Sequence, residues 1–230
     1  MPYIYRIKYS KDGPLKYVSH LDLNTLFCRT LRRAQIPVEL TQGFNPRFKV
    51  SFGPALPLGI ASREEVLDIN LTREMNSEQI KDRINGLVPK GLKIQQVKGI
   101  SEKDANLSNV LRYAIYLVGL NLRGYEQCTI SENAKECLKR NIDNFLKQEN
   151  IMVEKNTKKG LREVNLRPYI KNLEMVSVQD DIFTIKLTVD IQYRGSINPI
   201  LIINEFIKRL DKKDICIIDN ITRRGFDTNK

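Results

Sequence analysis

Along this chain the apolar residues switch repeatedly between a period of two and a period of about 3.6, and the order of the switches leaves few folds open. Tyr3, Tyr5, Ile7 and Tyr9 alternate as in a half-buried strand. Asp12-Gly13-Pro14 is a turn signal, after which residues 15–18 are read as a short returning strand. Ser19 and Asp22 have the spacing of a capping box, which predicts a helix over residues 21–35 with Leu23, Leu26, Phe27, Leu31 and Ala34 on one face. Pro37 closes it. Phe48, Val50 and Phe52 form a second strand pattern, and Leu67, Ile69 and Leu71 a third. Asn76 or Ser77 then caps a helix carrying Ile80, Ile84 and Leu87, and residues 92–98 close the series as a strand. The resulting β-α-β-β-α-β order is the ferredoxin-like pattern.

Residues 99–109 are polar and read as a linker. Beyond them the order repeats. A strand over 111–120 is followed by a helix over 131–148, a basic irregular stretch over 155–171 and a strand around Ile182, Thr184, Lys186 and Thr188. Asn198-Pro199 opens another helix, and residues 215–221 make a last strand. The expectation is an α+β fold of two tandem ferredoxin-like units, over residues 1–100 and 107–230.

Charge narrows the function. The 230 residues carry 38 Lys+Arg against 27 Asp+Glu, a formal net charge of +11. The excess lies in two segments: residues 1–49 hold nine basic and three acidic residues, and residues 155–171 six basic against Glu163 alone. Solubility does not require such clustering, whereas a polyanion partner does, and nucleic acid leads that class. No apolar run reaches the roughly 20 residues of a membrane helix, and the first residues lack a secretory pattern. The expected location is cytoplasmic, with no membrane association. Cys28, Cys128, Cys137 and Cys216 form no C-x-x-C pair, and His20 is the one histidine, so no metal or other cofactor is expected. The thiols read as buried small hydrophobes.

Residues 42–49 are the densest candidate interface. Gln42, Asn45, Arg47 and Lys49 set amide and cationic donors around Phe44 and Phe48, while Gly43 and Pro46 shape the turn. Donors, cations and aromatics together are what phosphate contact and base stacking need. Arg29, Arg32 and Arg33 oppose the apolar stripe of the first helix, and Lys158, Lys159, Arg162 and Arg167 form a second basic group. His20, at a helix start, is the candidate acid/base or phosphate contact. Gly53, Pro57 and Gly59 belong to a shaped loop that matches no phosphate-binding motif.

Several stretches together resemble a known family. They are Lys11-x-Gly13-Pro14-Leu15-x-Tyr17-Val18-Ser19-His20-Leu21-Asp22-Leu23, Arg29-x-x-Arg32-Arg33-Ala34, Gln42-Gly43-Phe44-Asn45-Pro46 and Ser51-Phe52-Gly53-Pro54-x-Leu56-Pro57-Leu58-Gly59. This set resembles the radical-SAM-linked protein family, a bacterial domain of unknown function fused to, or encoded beside, a radical-SAM protein. Asn165-Leu166-Arg167-Pro168 and Ile221-Thr222-Arg223 extend the likeness into the second half, and Arg47-Phe48 departs from it where the family often has His-Pro. The resemblance implies a radical-SAM protein as partner. The three-cysteine cluster motif is missing, so this chain would be the companion. The combined expectation is an RNA-binding accessory protein serving tRNA or rRNA modification. Its alternatives are a metal-independent RNA-processing enzyme using His20 and a protein–protein adaptor without nucleic acid. Whether the chain has an activity of its own stays open, with the balance against one.

Overall fold

In a computed structural model of the chain, residues 3–104, 106–122, 132–157, 160–179, 182–193, 195–210 and 216–227 are described. The architecture is mixed α+β, and every strand pairing whose register follows is antiparallel. The chain divides into two compact units, one made of the residues up to Arg112 together with those from Arg223 onward, the other of Tyr113–Thr222.

In the first unit, β1 (Tyr3–Lys11) lies between β4 (Leu92–Ile100) and β3 (Ala61–Leu71), and the short β2 (Val50–Phe52) pairs with β3. Tyr5, Ile7 and Tyr9 alternate onto the face covered by helices α1 (His20–Arg33) and α2 (Ser77–Asn85). There they pack with Leu67 and Ile69 of β3, Leu23, Phe27 and Leu31 of α1, and Ile80 and Ile84 of α2. Burial of this apolar surface is the main stabilising term. Ser19 caps α1, accepting from the Asp22 N–H at 3.1 Å while its hydroxyl donates to the Asp22 carboxylate at 2.6 Å. Asn76 caps α2. Residues 15–18 are not a strand: Gly13–Tyr17 is a 3-10 turn. The Asp12 carboxylate accepts from the Gly13 N–H, Pro14 has no N–H, and the Val18 N–H closes onto the Leu15 carbonyl, so no free ladder edge is left. The expected linker also has structure, a 3-10 turn at Glu102–Asp104 and a short helix α3 (Leu107–Val110).

In the second unit, β9 (Ile182–Asp190) lies between β5 (Tyr113–Leu122) and β8 (Ile170–Gln179). Leu138, Ile142 and Phe145 of α4 (Glu132–Lys147) and Ile202, Ile203 and Phe206 of α5 (Pro199–Ile207) are buried, and the Phe145 and Phe206 rings meet edge to face at 5.3 Å. The stretch 155–171 is regular, contrary to the expectation. It holds a hairpin of β6 (Met152–Thr157) and β7 (Gly160–Asn165), a 3-10 turn at Arg167–Tyr169 and the start of β8. Val153 is buried in that hairpin's first strand, and the charges around it mask a period of two. The last strand, β10 (Cys216–Asp227), neighbours β5 in this unit, and its residues from Arg223 onward neighbour β3 in the first. Of the thiols, Cys216 is buried, Cys28 and Cys137 are half-buried, and Cys128 falls outside the described residues.

Candidate functional site

The loop at 42–49 is held from its base. Leu40 and Phe48 form a β-bridge, the Thr41 N–H donates to the Arg47 carbonyl at 2.7 Å, and the Arg47 N–H donates to the Thr41 hydroxyl at 3.0 Å. Lys49 is ion-paired with Glu39. Gly43 adopts φ +130, a conformation that a side chain disfavours, and so turns the tip. Gln42, Gly43, Phe44, Asn45, Pro46 and Arg47 are all exposed, and the Phe44 ring is bare, at 106% of its reference accessibility. Behind the tip, Phe48 is half-buried with the Arg32 guanidinium 5.4 Å from its ring centre. Arg29 and Arg33 are exposed on the same turns of α1. Arg47 in the loop and Arg32 against Phe48 are thus tied to the held loop and its bare aromatic, and Arg29 and Arg33 are exposed on the helix that carries Arg32.

His20 is elsewhere, at the opposite end of α1. Its ring is half-buried and edge-on to Phe52 at 5.4 Å. It shares a cleft of about 270 Å³, open mouth included, with Tyr9, Lys11, Leu23, Gly53, Pro54, Leu56 and Glu65. Burial, then the Lys11 charge, holds the imidazole below its ordinary pKa, which favours the neutral ring. Gly53 stands where a Cβ would meet Val66 Cγ2 at 3.0 Å, so its loop lies directly on β3. Pro57 accepts from the Ile60 N–H, and Gly59, at φ +82, donates its N–H to the Lys16 carbonyl. Beneath the loop, buried Arg223 donates to both Glu65 oxygens, at 3.1 and 3.0 Å, and to the Pro54 and Ala55 carbonyls at 2.9 and 3.0 Å. Burial pushes the Glu65 carboxyl up, while Arg223, Ser62 and Lys11 draw it down.

Glu65, Tyr9 and Arg223 were not among the expected site residues. A signal for Glu65 and Lys11 exists in the alternation. Lys11 continues the inward series Tyr5, Ile7, Tyr9, and Glu65 pairs across the strands with Tyr9, on the same side of the sheet. Charged residues at inward positions are uncommon unless paired.

In the second unit, Arg162 is exposed on β7, while Lys158 and Lys159 fall outside the described residues. Arg167 is held by the fold, its Nε donating to the Leu146 carbonyl and its Nη1 to the Ile170 carbonyl. Among the described residues, no group of three or more His, Cys, Asp or Glu side chains could hold a metal ion, and no helix is long and apolar enough to cross a membrane.

Against known structures, the chain aligns over 95% of its length with a Cbf5-Nop10-Gar1 complex, at 11% identity and a TM-score of 0.49. An H/ACA RNP bound to a substrate RNA containing 2'-deoxyuridine aligns over 95% at 10% identity and a TM-score of 0.46, and the archaeal box H/ACA sRNP Nop10-Cbf5 complex over 95% at 12% and 0.43. This chain spans about half the length of those chains, 47%, 46% and 46% respectively. Likeness at that level carries no argument about function. No curated protein matches the sequence. The run from Ile4 to Pro199, which includes the held loop, His20 and the cleft-lining residues of the first unit, matches the family described as an uncharacterized protein conserved in bacteria (DUF2344), and the chain belongs to that family.

Proposed function

We propose that this protein is an RNA-binding accessory protein that works beside a radical-SAM enzyme in tRNA or rRNA modification. The observation that carries the RNA reading is the bare Phe44 ring on a hydrogen-bonded loop that holds Arg47 and sets Phe48 against Arg32, with Arg29 and Arg33 exposed on the same helix as Arg32. An exposed aromatic is a stacking platform for an unpaired base, and guanidinium groups around it position the phosphates. The radical-SAM partner rests on the sequence resemblance over residues 5–71. We read the architecture as two tandem ferredoxin-like units, over 1–100 and 107–230, with β10 lending its end to the first. That reading is supported by one order of strands recurring: β4-β1-β3 flanked by β2, and β10-β5-β9 flanked by β8.

Filter binding of bulk tRNA and rRNA fragments across a salt series tests the RNA reading. Expected is retention at low salt that declines steeply as salt rises. Phe44→Ala should weaken retention about tenfold, within the roughly 1–3 kcal/mol that stacking one base contributes. No retention at low salt overturns it. Affinity for a radical-SAM protein that survives nuclease and high salt would replace it with the adaptor reading.

A further inference from the structure

Three buried charges meet at one end of the first unit's core, and they do not cancel. Arg223, Lys11 and Glu65 are 0%, 1% and 4% exposed. Glu65 is bound on both oxygens by Arg223, whose Nη groups are also engaged by two loop carbonyls. Lys11 is the cation left over. Its ammonium donates to the Val18 carbonyl at 2.7 Å, one bond for three donors, and it makes no ion pair among the described residues. The acidic residues flanking it in sequence do not answer it: Asp12 is exposed and accepts from the Gly13 N–H, and Asp22 is exposed and accepts from Ser19. Lys11 feels the Glu65 charge, but Arg223 already binds both oxygens of that carboxylate, so the buried cluster keeps one positive charge in surplus, which is strongly unfavourable.

Other polar groups without a protein partner among the described residues line the same space. Tyr9 is 3% exposed, lines the cleft, and its hydroxyl has no hydrogen-bond partner among the described residues. The His20 ring nitrogens likewise have none. His20 is also the first residue of the 14-residue α1, whose positive end adds to the field of Lys11.

We infer that this cleft binds one singly charged oxyanion group, a phosphodiester or a carboxylate, with Lys11 as its counter-charge and Tyr9 and His20 as hydrogen-bond donors. The sign follows from the surplus of one positive charge, and the donor set fits oxygen acceptors. Behind its mouth the cleft is narrow, with room for little more than a water-sized group. The cleft therefore takes the end or one linkage of a larger ligand. The Arg223–Glu65 pair is the frame. It pins the Pro54 and Ala55 carbonyls and so sets the wall that Gly53, Pro54 and Leu56 form.

The chain's single histidine makes the test direct, because its imidazole C–H signals report one site. The full chain is titrated with inorganic phosphate, dimethyl phosphate and acetate, ionic strength being held constant with chloride. A saturable shift of the His20 signals is expected, with affinity at least tenfold lower in Lys11→Met. Saturation by dimethyl phosphate alone assigns the site to phosphate esters; saturation by acetate as well extends it to carboxylates. Tyr9→Phe, which keeps the ring in place, should weaken binding at least threefold and serves if Lys11→Met does not fold. No saturable shift with any of the three anions overturns the inference, as does unchanged saturation in both variants. None of these measurements involves RNA, so the outcome is separate from that of the RNA reading.

Discussion

Arg223 and Glu65 show how much one residue pair can hold. Both are buried, and the guanidinium joins the carboxylate of β3 to the carbonyls of the 53–57 loop. Removing one partner leaves the other charged or unpaired in a desolvated place, so Arg223→Ala should lower stability by about 3–5 kcal/mol. Urea denaturation reads this as a fall in the midpoint, and adding Glu65→Gln should recover part of the loss by removing the stranded charge. A midpoint unchanged by Arg223→Ala would show that the pair stabilises nothing. The two residues lie 158 positions apart, and no spacing rule connects them. His20 was legible as a candidate because a lone histidine at a helix start stands out in a sequence. Lys11 and Glu65 could have been found as charges on the inward side of strands.

At the level of elements, local chemistry was the surest guide. Asn76 Oδ1 accepts from the Glu78 and Gln79 N–H groups at 2.9 and 3.2 Å, as its place before the helix predicts. Asn76→Ala should therefore lower stability by about 0.5–2 kcal/mol, seen as a lower Tm, with RNA retention unchanged. A loss of retention with unchanged Tm would place Asn76 in an interface instead. Errors arose where side chains competed with the pattern. At Gly13–Tyr17, the Asp12 carboxylate and Pro14 turned an apparent strand into a 3-10 turn. In β6 and β7, opposite pairs such as Lys155 with Arg162 and Glu154 with Glu163 hid a hairpin behind its charge. Loop 42–49 lies between these cases: its turn residues were readable, but the bonds through Thr41 that hold Phe44 outward were not.

Taken over the molecule, the charge of +11 is less available than its total suggests. In residues 1–49, Arg6, Lys8 and Lys49 pair with Asp68, Glu64 and Glu39, and Lys11 is buried. Arg29, Arg32, Arg33 and Arg47 are exposed without an ion pair among the described residues. If the three helix arginines contact phosphates, replacing them together by Ala should flatten the plot of log affinity against log salt by about 2, at roughly 0.7 per phosphate for a single strand. An unchanged slope would move the phosphate contacts off α1. The four long helices, the side-chain caps at Ser19, Asn76 and Asn198 and the basic segments were determined by the sequence alone, because periodicity, capping and charge act between neighbours along the chain. Only the tertiary structure decided which charges are free, which are paired and which are enclosed with His20. Pairing and desolvation depend on groups that the fold brings together from distant positions.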